Sequence, residues 1–173
     1  MTANGDWRRA RRRCQAVLRD VAIPEPFELD RFCAALAKRR GRPIVLHPVA
    51  GVGSRLTGLW LALADPPVDV IVYEARTTPL HRLHIVLHEL GHLLAGHAPG
   101  ASVAGTARLL FPDLDPDSVR RALERGSYSS SEEQEAELLA SLILLRATRQ
   151  GPEELWSDEA RRLEAFLSGE PAT

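Results

Sequence analysis

The sequence predicts an α+β fold in which a small, mostly antiparallel sheet of three strands packs against several helices. Helix-period apolar patterns cover most of the chain, whereas three short β-rich runs lie close together at 43–48, 57–64 and 68–73. Asp65-Pro66-Pro67 separates the last two runs and is typical of a turn, so we expect these runs to form an antiparallel pair. The 173 residues, 45% of them hydrophobic, suffice for one domain with a proper core.

Helices are predicted both before and after the strands in the sequence. The first two are separated by Pro24-Glu25-Pro26, and the second ends at Gly41. Four of the predicted helices cover about 6–21, 27–40, 101–110 and 115–126. The single domain therefore divides into an N-terminal helical extension, a core and a C-terminal helix, at 1–41, 43–149 and 152–168.

The charge pattern limits the kinds of partner. A net charge of −1 argues against a general binder of nucleic acid or membranes, because such proteins carry a sustained basic excess. The exception is the first helix, which concentrates arginines on one face. We interpret this face as a solvated surface, with a docking face for an acidic partner or DNA as the alternative. The clustered residues are Arg8, Arg9, Arg11, Arg12 and Arg13.

Two further features predict a cytoplasmic protein. No apolar run reaches membrane-spanning length, and the N-terminus lacks the apolar core and cleavage site of a secretory signal. Cys14 and Cys33 both fall on helical patterns without C-x-x-C spacing. We expect them to be free thiols that pack as small hydrophobic side chains.

The most informative segment is H-E-x-x-H at 88–92, which lies in an apolar, helix-period stretch. Side chains four residues apart stand one above the other on a helix, so His88 and His92 can bind one metal ion. Glu89 follows the first histidine and places its carboxylate beside the metal, as a general base would require. Thr78 is the predicted N-cap of this helix.

A catalytic zinc site usually has a third protein ligand. His97 comes five residues after His92 and would be rotated by about 140° on a continued helix, so we interpret it as a capping and dipole-compensating residue. The predicted helix at 130–142 offers Glu133 instead, on the same face as alanines that would permit close packing. Glu137, one turn later, could orient a ligand histidine through its second nitrogen.

One alternative for Glu133 stays open. Ser130-x-x-Glu133 is also a capping box, in which the carboxylate closes back on the helix start. Tyr128 lies in the preceding polar loop, where its hydroxyl could donate to a developing oxyanion or simply face solvent. His84 is interpreted as a packing residue or a support for a ligand. Surface, satisfied-core or solvated positions are predicted for His47, His81, Glu132 and Glu135.

The HELGH helix, followed after a gap by E-x-E-A-x-x-L-A, resembles the ImmA/IrrE-type metallopeptidases over roughly 43–145. Members of that family are small cytoplasmic zinc peptidases with a minimal zincin-like fold that act on helix-turn-helix repressors or antitoxins. The resemblance implies Zn²⁺ held by His88, His92 and Glu133, with Glu89 as the catalytic base. It also implies that an edge strand receives the substrate.

The substrate edge predicted by this resemblance is Val68–Tyr73 or its neighbour Thr57–Ala64. The chain departs from the family at Leu139, where phenylalanine is usual, and at 144–146, where a proline commonly closes the motif. Neither departure touches a metal ligand, but both affect what can be inferred about the substrate groove.

The expected function is zinc-dependent hydrolysis of a peptide bond in a protein partner, a helix-turn-helix repressor or antitoxin. The alternative is a regulator or toxin-like component that keeps the zinc fold and binds such a partner without cutting it. Imidazole and carboxylate ligands also bind manganese and iron, so the ligand types alone do not single out zinc.

Overall fold

The structure, a computed structural model, describes residues 3–50, 58–64, 66–99, 101–103 and 128–148. Within these ranges there are four α-helices, a short 3-10 turn at Leu18–Asp20 and four strands. The helices are α1 (Ala3–Val17), α2 (Leu29–Arg40), α3 (Pro79–Ala95) and α4 (Ser130–Thr148). The strands are β1 (Ile44–Val49), β2 (Gly58–Leu63), β3 (Val68–Glu74) and β4 (Ala101–Val103). The helices predicted at 115–126 and 152–168 lie outside the described residues.

The α+β class is confirmed, but the prediction of a mostly antiparallel sheet is wrong. The strand order is β1-β3-β2-β4. The predicted β2–β3 pair is antiparallel, with Leu61 opposite Val70, whereas β1 runs parallel to β3 and β4 runs parallel to β2. The turn signal between β2 and β3 is local and could be recognised. Which side of β3 receives β1 depends on pairing between segments that are distant in the sequence, and hydrophobic alternation carries no such information.

Strand β4 also corrects the helix predicted at 101–110. Residues Ala101–Val103 pair with Leu61–Leu63 of β2, and 104–110 lie outside the described residues. The open side of β2 offers unpaired backbone groups, so tertiary pairing overrides a weak helical pattern.

The core lies between the sheet and the helices. Trp60 and Ile71 share the sheet face that packs on α3, where Val86 and Leu90 are buried. On its other side α3 packs against α4, so the helix that carries the H-E-x-x-H motif is enclosed between two layers. Burial of this kind gives the site a rigid support, because a packed interior leaves side chains few alternative positions.

Both ends of α3 are fixed by the local sequence, as predicted for its start. Thr78 accepts a hydrogen bond from the His81 N–H through Oγ1, at 3.2 Å, and Pro79 follows at the first helical position. At the other end Gly96 adopts the left-handed conformation, with a φ of 75°. The chain therefore turns sharply after Ala95 instead of continuing the helix.

A partly buried ion pair anchors the sheet end next to this core. Asp69 is fully buried and accepts hydrogen bonds from Arg40 Nε, at 2.6 Å, and from Trp60 Nε1, at 3.0 Å. Satisfied in this way, the carboxylate links the C-terminal end of α2 to β2 and β3. It also fixes the indole of Trp60, whose backbone faces the H-E-x-x-H helix.

The structure also bears on the predictions about the cysteines and about membrane-spanning helices. Cys14 and Cys33 are buried free thiols, as expected. None of the described helices combines the length and the apolar character needed to cross a membrane.

Candidate metal centre

Three side chains from α3 and α4 converge on one point. The Nε2 atoms of His88 and His92 lie 3.1 Å apart, and Glu133 Oε2 lies 3.1 Å from the first and 3.8 Å from the second. Their candidate ligand atoms all fall within 4.8 Å of one another, so this group could hold a metal ion. These are the three ligands predicted from the sequence.

Glu133 is available because another pair caps α4. Ser129 donates to Glu132 Oε2 from its backbone N–H, at 2.8 Å, while the Glu132 N–H donates to Ser129 Oγ, at 3.3 Å. This reciprocal pair is a capping box one residue earlier than Ser130–Glu133. The capping alternative for Glu133 is therefore wrong. Glu132, predicted to be a solvated charge at the helix start, is the residue that closes the cap.

The two helices approach closely at glycine and alanine. A Cβ placed on Gly91 would lie 2.6 Å from the backbone oxygen of Ala136 and 3.0 Å from its α-carbon. Only a residue without a side chain fits this contact. Because Glu133 lies one turn before Ala136, the same approach brings its carboxylate to His88.

Glu137 orients His88, as the sequence predicted. Its Oε2 lies 3.3 Å from His88 Nδ1 and 3.1 Å from His84 Nε2. These hydrogen bonds lower the pKa of Glu137, so the carboxylate is ionised and can only accept. Neutral His88 then carries its proton on Nδ1, which leaves a lone pair on Nε2 directed at Glu133 and His92.

The electrostatics of His88 and His92 differ. Burial opposes protonation of His88, but the hydrogen bond with Glu137 and the charges of Glu89 and Glu133 outweigh it and raise the His88 pKa. Burial, together with the neighbouring imidazoles, lowers the pKa of His92 to about 3. His92 is therefore neutral at physiological pH, as a metal ligand must be.

His92 is held on two further sides. The ring of Tyr128 stacks on it, with centroids 3.5 Å apart and planes inclined by 17°. His97 Nδ1 lies 2.9 Å from His92 Nδ1. Tyr128, predicted to be either an oxyanion donor or a surface residue, thus packs its ring on a candidate ligand.

The position of His97 corrects its interpretation as a cap alone. Its N–H does bond to the His92 carbonyl, at 3.1 Å, but its imidazole returns to the ligand histidine. A rotation of about 140° from His92 holds only for a continued helix. Because α3 ends at Ala95 and Gly96 is left-handed, the chain reverses and brings residue 97 back. Gly96, directly before His97, was the feature of the sequence from which this reversal could have been predicted.

Glu89 lies beside the ligand group in a tight backbone cradle. It is 6% exposed, its carboxylate accepts from the Trp60 N–H, and a Cβ on Gly58 would stand 2.7 Å from its Oε1. Its Oε2 has no hydrogen-bond partner among the described residues. Burial raises the pKa of Glu89 to about 7, which suits a group that takes up and releases a proton near neutral pH.

The arrangement could therefore hold a cation. Two imidazole lone pairs and a carboxylate would repel one another at about 3 Å, unless a cation or a proton lies between them. His47 and His81, excluded from the site by the sequence analysis, are not members of this group.

One of the two strands predicted to be the substrate edge, Val68–Tyr73, does not lie at an edge of the sheet. Strand β3 is paired on both sides and cannot be an edge. Strand β2 pairs with β4 only over Leu61–Leu63, so within the described residues Gly58–Trp60 have no neighbouring strand on that side. This open stretch is the one in contact with Glu89.

Comparisons of this chain with protein-family models, with curated proteins and with solved structures find no match.

Proposed function

We propose that this chain is a zinc-dependent endopeptidase of the ImmA/IrrE type with a zincin-like core. The observation that supports the proposal most directly is the convergence of His88, His92 and Glu133 beside a buried carboxylate, Glu89. A structural zinc site would instead favour a closed, cysteine-rich ligand set. Three ligands next to a potential base are typical of metal-assisted hydrolysis.

The donor set and its spacing suit zinc. Zinc is bound by imidazole nitrogen and carboxylate oxygen at about 2.0–2.2 Å, and tetrahedral geometry then separates neighbouring ligand atoms by about 3.3 Å. The three separations here, 3.1, 3.1 and 3.8 Å, bracket that value. Both histidines also have partners on their second nitrogens, as metal-binding histidines usually do.

In the proposed reaction, bound zinc supplies a Lewis acid that acidifies water and polarises a peptide carbonyl. Glu89 takes the proton of the attacking water at Oε2, the carboxylate oxygen without a hydrogen-bond partner among the described residues. It then gives this proton to the leaving amine nitrogen as the C–N bond breaks. The Trp60 N–H and the bare α-carbon of Gly58 hold the carboxylate in place during both transfers.

The proposed substrate is a protein segment in extended form, from a helix-turn-helix repressor or antitoxin. The open stretch Gly58–Trp60 has no neighbouring strand among the described residues, so such a segment could add there through its backbone groups other than the Trp60 N–H, which donates to Glu89. Because this stretch contacts Glu89, a scissile bond held there would lie next to the base. The substrate class follows from the family resemblance, and the binding mode from the sheet order.

The decisive experiment compares the wild-type protein with Glu89→Gln in a native extract of the host cells. New protein N-termini are labelled and identified by mass spectrometry. We expect specific new termini with the zinc-loaded wild type and none with Glu89→Gln, although both bind about one zinc per chain. Glu28→Gln, which alters a surface carboxylate paired with Arg31, is the matched control and should cleave normally.

Equal sets of termini for the wild type and Glu89→Gln would contradict the role of Glu89. If the wild type binds zinc but produces no new terminus, the endopeptidase proposal fails. The alternative from the sequence, a zinc-fold regulator that binds a repressor or antitoxin without cutting it, then replaces it.

A further inference from the structure

A chain of polar contacts leads from the far side of His92 to the N-terminal helix. His92 Nδ1 lies 2.9 Å from His97 Nδ1, and His97 Nε2 lies 3.5 Å from Glu135 Oε2. Arg13 of α1 donates through Nε to Glu135 Oε1, at 3.1 Å. We call Arg13, Glu135 and His97 the support chain. Glu135 was predicted to be a solvated charge, and this pairing corrects that prediction.

The proton positions along the support chain follow from what each group can do. A carboxylate attracts a donor and repels a lone pair, so the charge of Glu135, 3.5 Å from Nε2, favours the neutral tautomer of His97 that carries its proton on Nε2. In neutral His97 the other nitrogen, Nδ1, is then an acceptor. His92 must donate from Nδ1–H, and its Nε2 is left with a lone pair directed at His88 and Glu133.

We propose that His97 is a positioning residue that fixes His92 as the Nδ1–H tautomer, and that Glu135 and Arg13 secure it from α4 and α1. The opposite tautomer would place a proton on Nε2 and prevent His92 from binding a metal. This inference rests on the metal-binding part of the proposed function and is independent of peptide hydrolysis.

The burial of the ligand explains why such a device is needed. The side chain of His92 is 1% exposed, so water cannot satisfy its Nδ1–H. An unpaired buried donor is costly, and His97, itself 8% exposed, supplies the acceptor from within the protein. A carboxylate does the same for the less buried His88. The two ligands are therefore oriented by chemically different partners.

The helix α1 contributes more than one contact at this place. The Cys14 thiol approaches the backbone oxygen of Glu135, with Sγ at 3.7 Å, next to the Arg13 ion pair. Glu135 directly precedes Ala136, where α4 meets α3 at Gly91. The N-terminal extension thus holds the turn of α4 that lies between the ligand Glu133 and the contact with α3.

The first test is zinc affinity, measured by competition with a chromogenic chelator. We expect His97→Ala to bind zinc about 10- to 100-fold more weakly than the wild type, as for other losses of a ligand-orienting partner. His97→Asn keeps an acceptor near the position of Nδ1 and should recover much of the affinity. His81→Ala, an exposed histidine of α3, is the matched control and should bind normally.

The second test needs no metal. Nitrogen-15 chemical shifts of the imidazoles in the metal-free protein at pH 8 distinguish the two tautomers. We expect His92 to be protonated at Nδ1 in the wild type and in His97→Asn, and to exchange between tautomers in His97→Ala. A wild-type His92 protonated at Nε2 would overturn the proposal, whatever the zinc affinities are.

The third test concerns the far end of the support chain. Arg13→Ala should weaken zinc binding, by about fivefold at most, because the ion pair is half exposed. The same change in the His97→Ala background should have no further effect. Arg12→Ala removes the same charge from an exposed position of α1 and is the control. Equal losses for Arg13→Ala and Arg12→Ala would show a general charge effect and overturn the part assigned to α1.

Failure of this inference can be told apart from failure of the proposed function. If the wild type and His97→Ala bind zinc equally well, with His92 in the same tautomer, the support chain has no positioning role and the metal centre stands. If the wild type binds no zinc, the proposed function fails, and the tautomer of His92 still decides the part of His97.

Discussion

The α-carbon of Gly91 lies against the backbone of Ala136 so closely that a Cβ on residue 91 would stand 2.6 Å from the Ala136 carbonyl oxygen. Residue 91 lies between the two candidate ligand histidines, and Ala136 lies one turn after Glu133. The separation of the two helices at this point therefore sets the distance between the histidines and the carboxylate.

Gly91→Ala should separate the helices and weaken metal binding. Alanine is favoured over glycine in a helix by about 1 kcal/mol, but overpacking against a backbone that cannot move aside costs about 1–3 kcal/mol. We expect Gly91→Ala to lower the free energy of unfolding in urea, and to lower the free energy of zinc binding by a larger amount. Gly41→Ala is the control. Alanine at the left-handed φ of 68° costs stability, but no atom lies within 4 Å of the added Cβ, so zinc affinity should not change. Equal zinc affinity in the two variants would contradict this account of the helix contact.

Gly58→Ala should separate metal binding from catalysis. The added Cβ would meet Glu89 Oε1 and Ile85 Cγ2, both at 2.7 Å, and the carboxylate is the group that can move. We expect zinc content to stay near that of the wild type and the cleavage rate to fall by about 10- to 100-fold, because misplacing a reacting group by about 1 Å has effects of that size. Zinc titration and the labelling of new termini measure the two quantities. A variant that cleaves at the wild-type rate would show that the cradle does not position Glu89.

Glu137→Ala should weaken zinc binding even though Glu137 is not one of the ligands. Its loss leaves His88 Nδ1 without an acceptor and allows the opposite tautomer, so we expect about 10- to 100-fold lower affinity. His84→Ala removes only the outer contact of the same carboxylate and should have the smaller effect. If His84→Ala has the larger effect, His84 rather than Glu137 governs the orientation of His88.

The two thiols should be unreactive in the folded protein. Burial is the main cause that raises the pKa of Cys14 and of Cys33 to about 12 each. At pH 8, well below these values, both remain protonated and cannot attack a disulfide reagent. We expect no reaction with a chromogenic disulfide in native buffer and two thiols per chain after unfolding in guanidinium. Rapid reaction of either thiol in native buffer would contradict the packing of α1 and α2.

The sequence predicted the parts of the site that depend on helical periodicity. The spacing of His88 and His92 and the contact of Glu137 with a ligand histidine follow from positions three and four residues apart. The N-cap at Thr78 was also local enough to recognise. These features need no knowledge of how distant segments meet.

The parts that could not be predicted depend on chain reversals and distant pairing. His97 reaches His92 only because Gly96 turns the chain back, and Glu135 gains its partners from α1 and from the segment after α3. The parallel pairing of β1 with β3 joins segments more than 20 residues apart, which sequence alternation does not encode. The capping pair at Ser129 shifted by one residue from the predicted pair, within the usual uncertainty of helix boundaries.

The most direct test of the central claim is the metal content of protein purified without chelators or a histidine tag. Glu133→Gln and Glu132→Gln make the same change one residue apart, but only Glu133 faces His88 and His92. We predict about one zinc per chain in the wild type and in Glu132→Gln, and little in Glu133→Gln and in His92→Ala. A wild-type protein that is folded by circular dichroism but free of metal, or a Glu133→Gln variant that keeps its zinc, would contradict the metal centre.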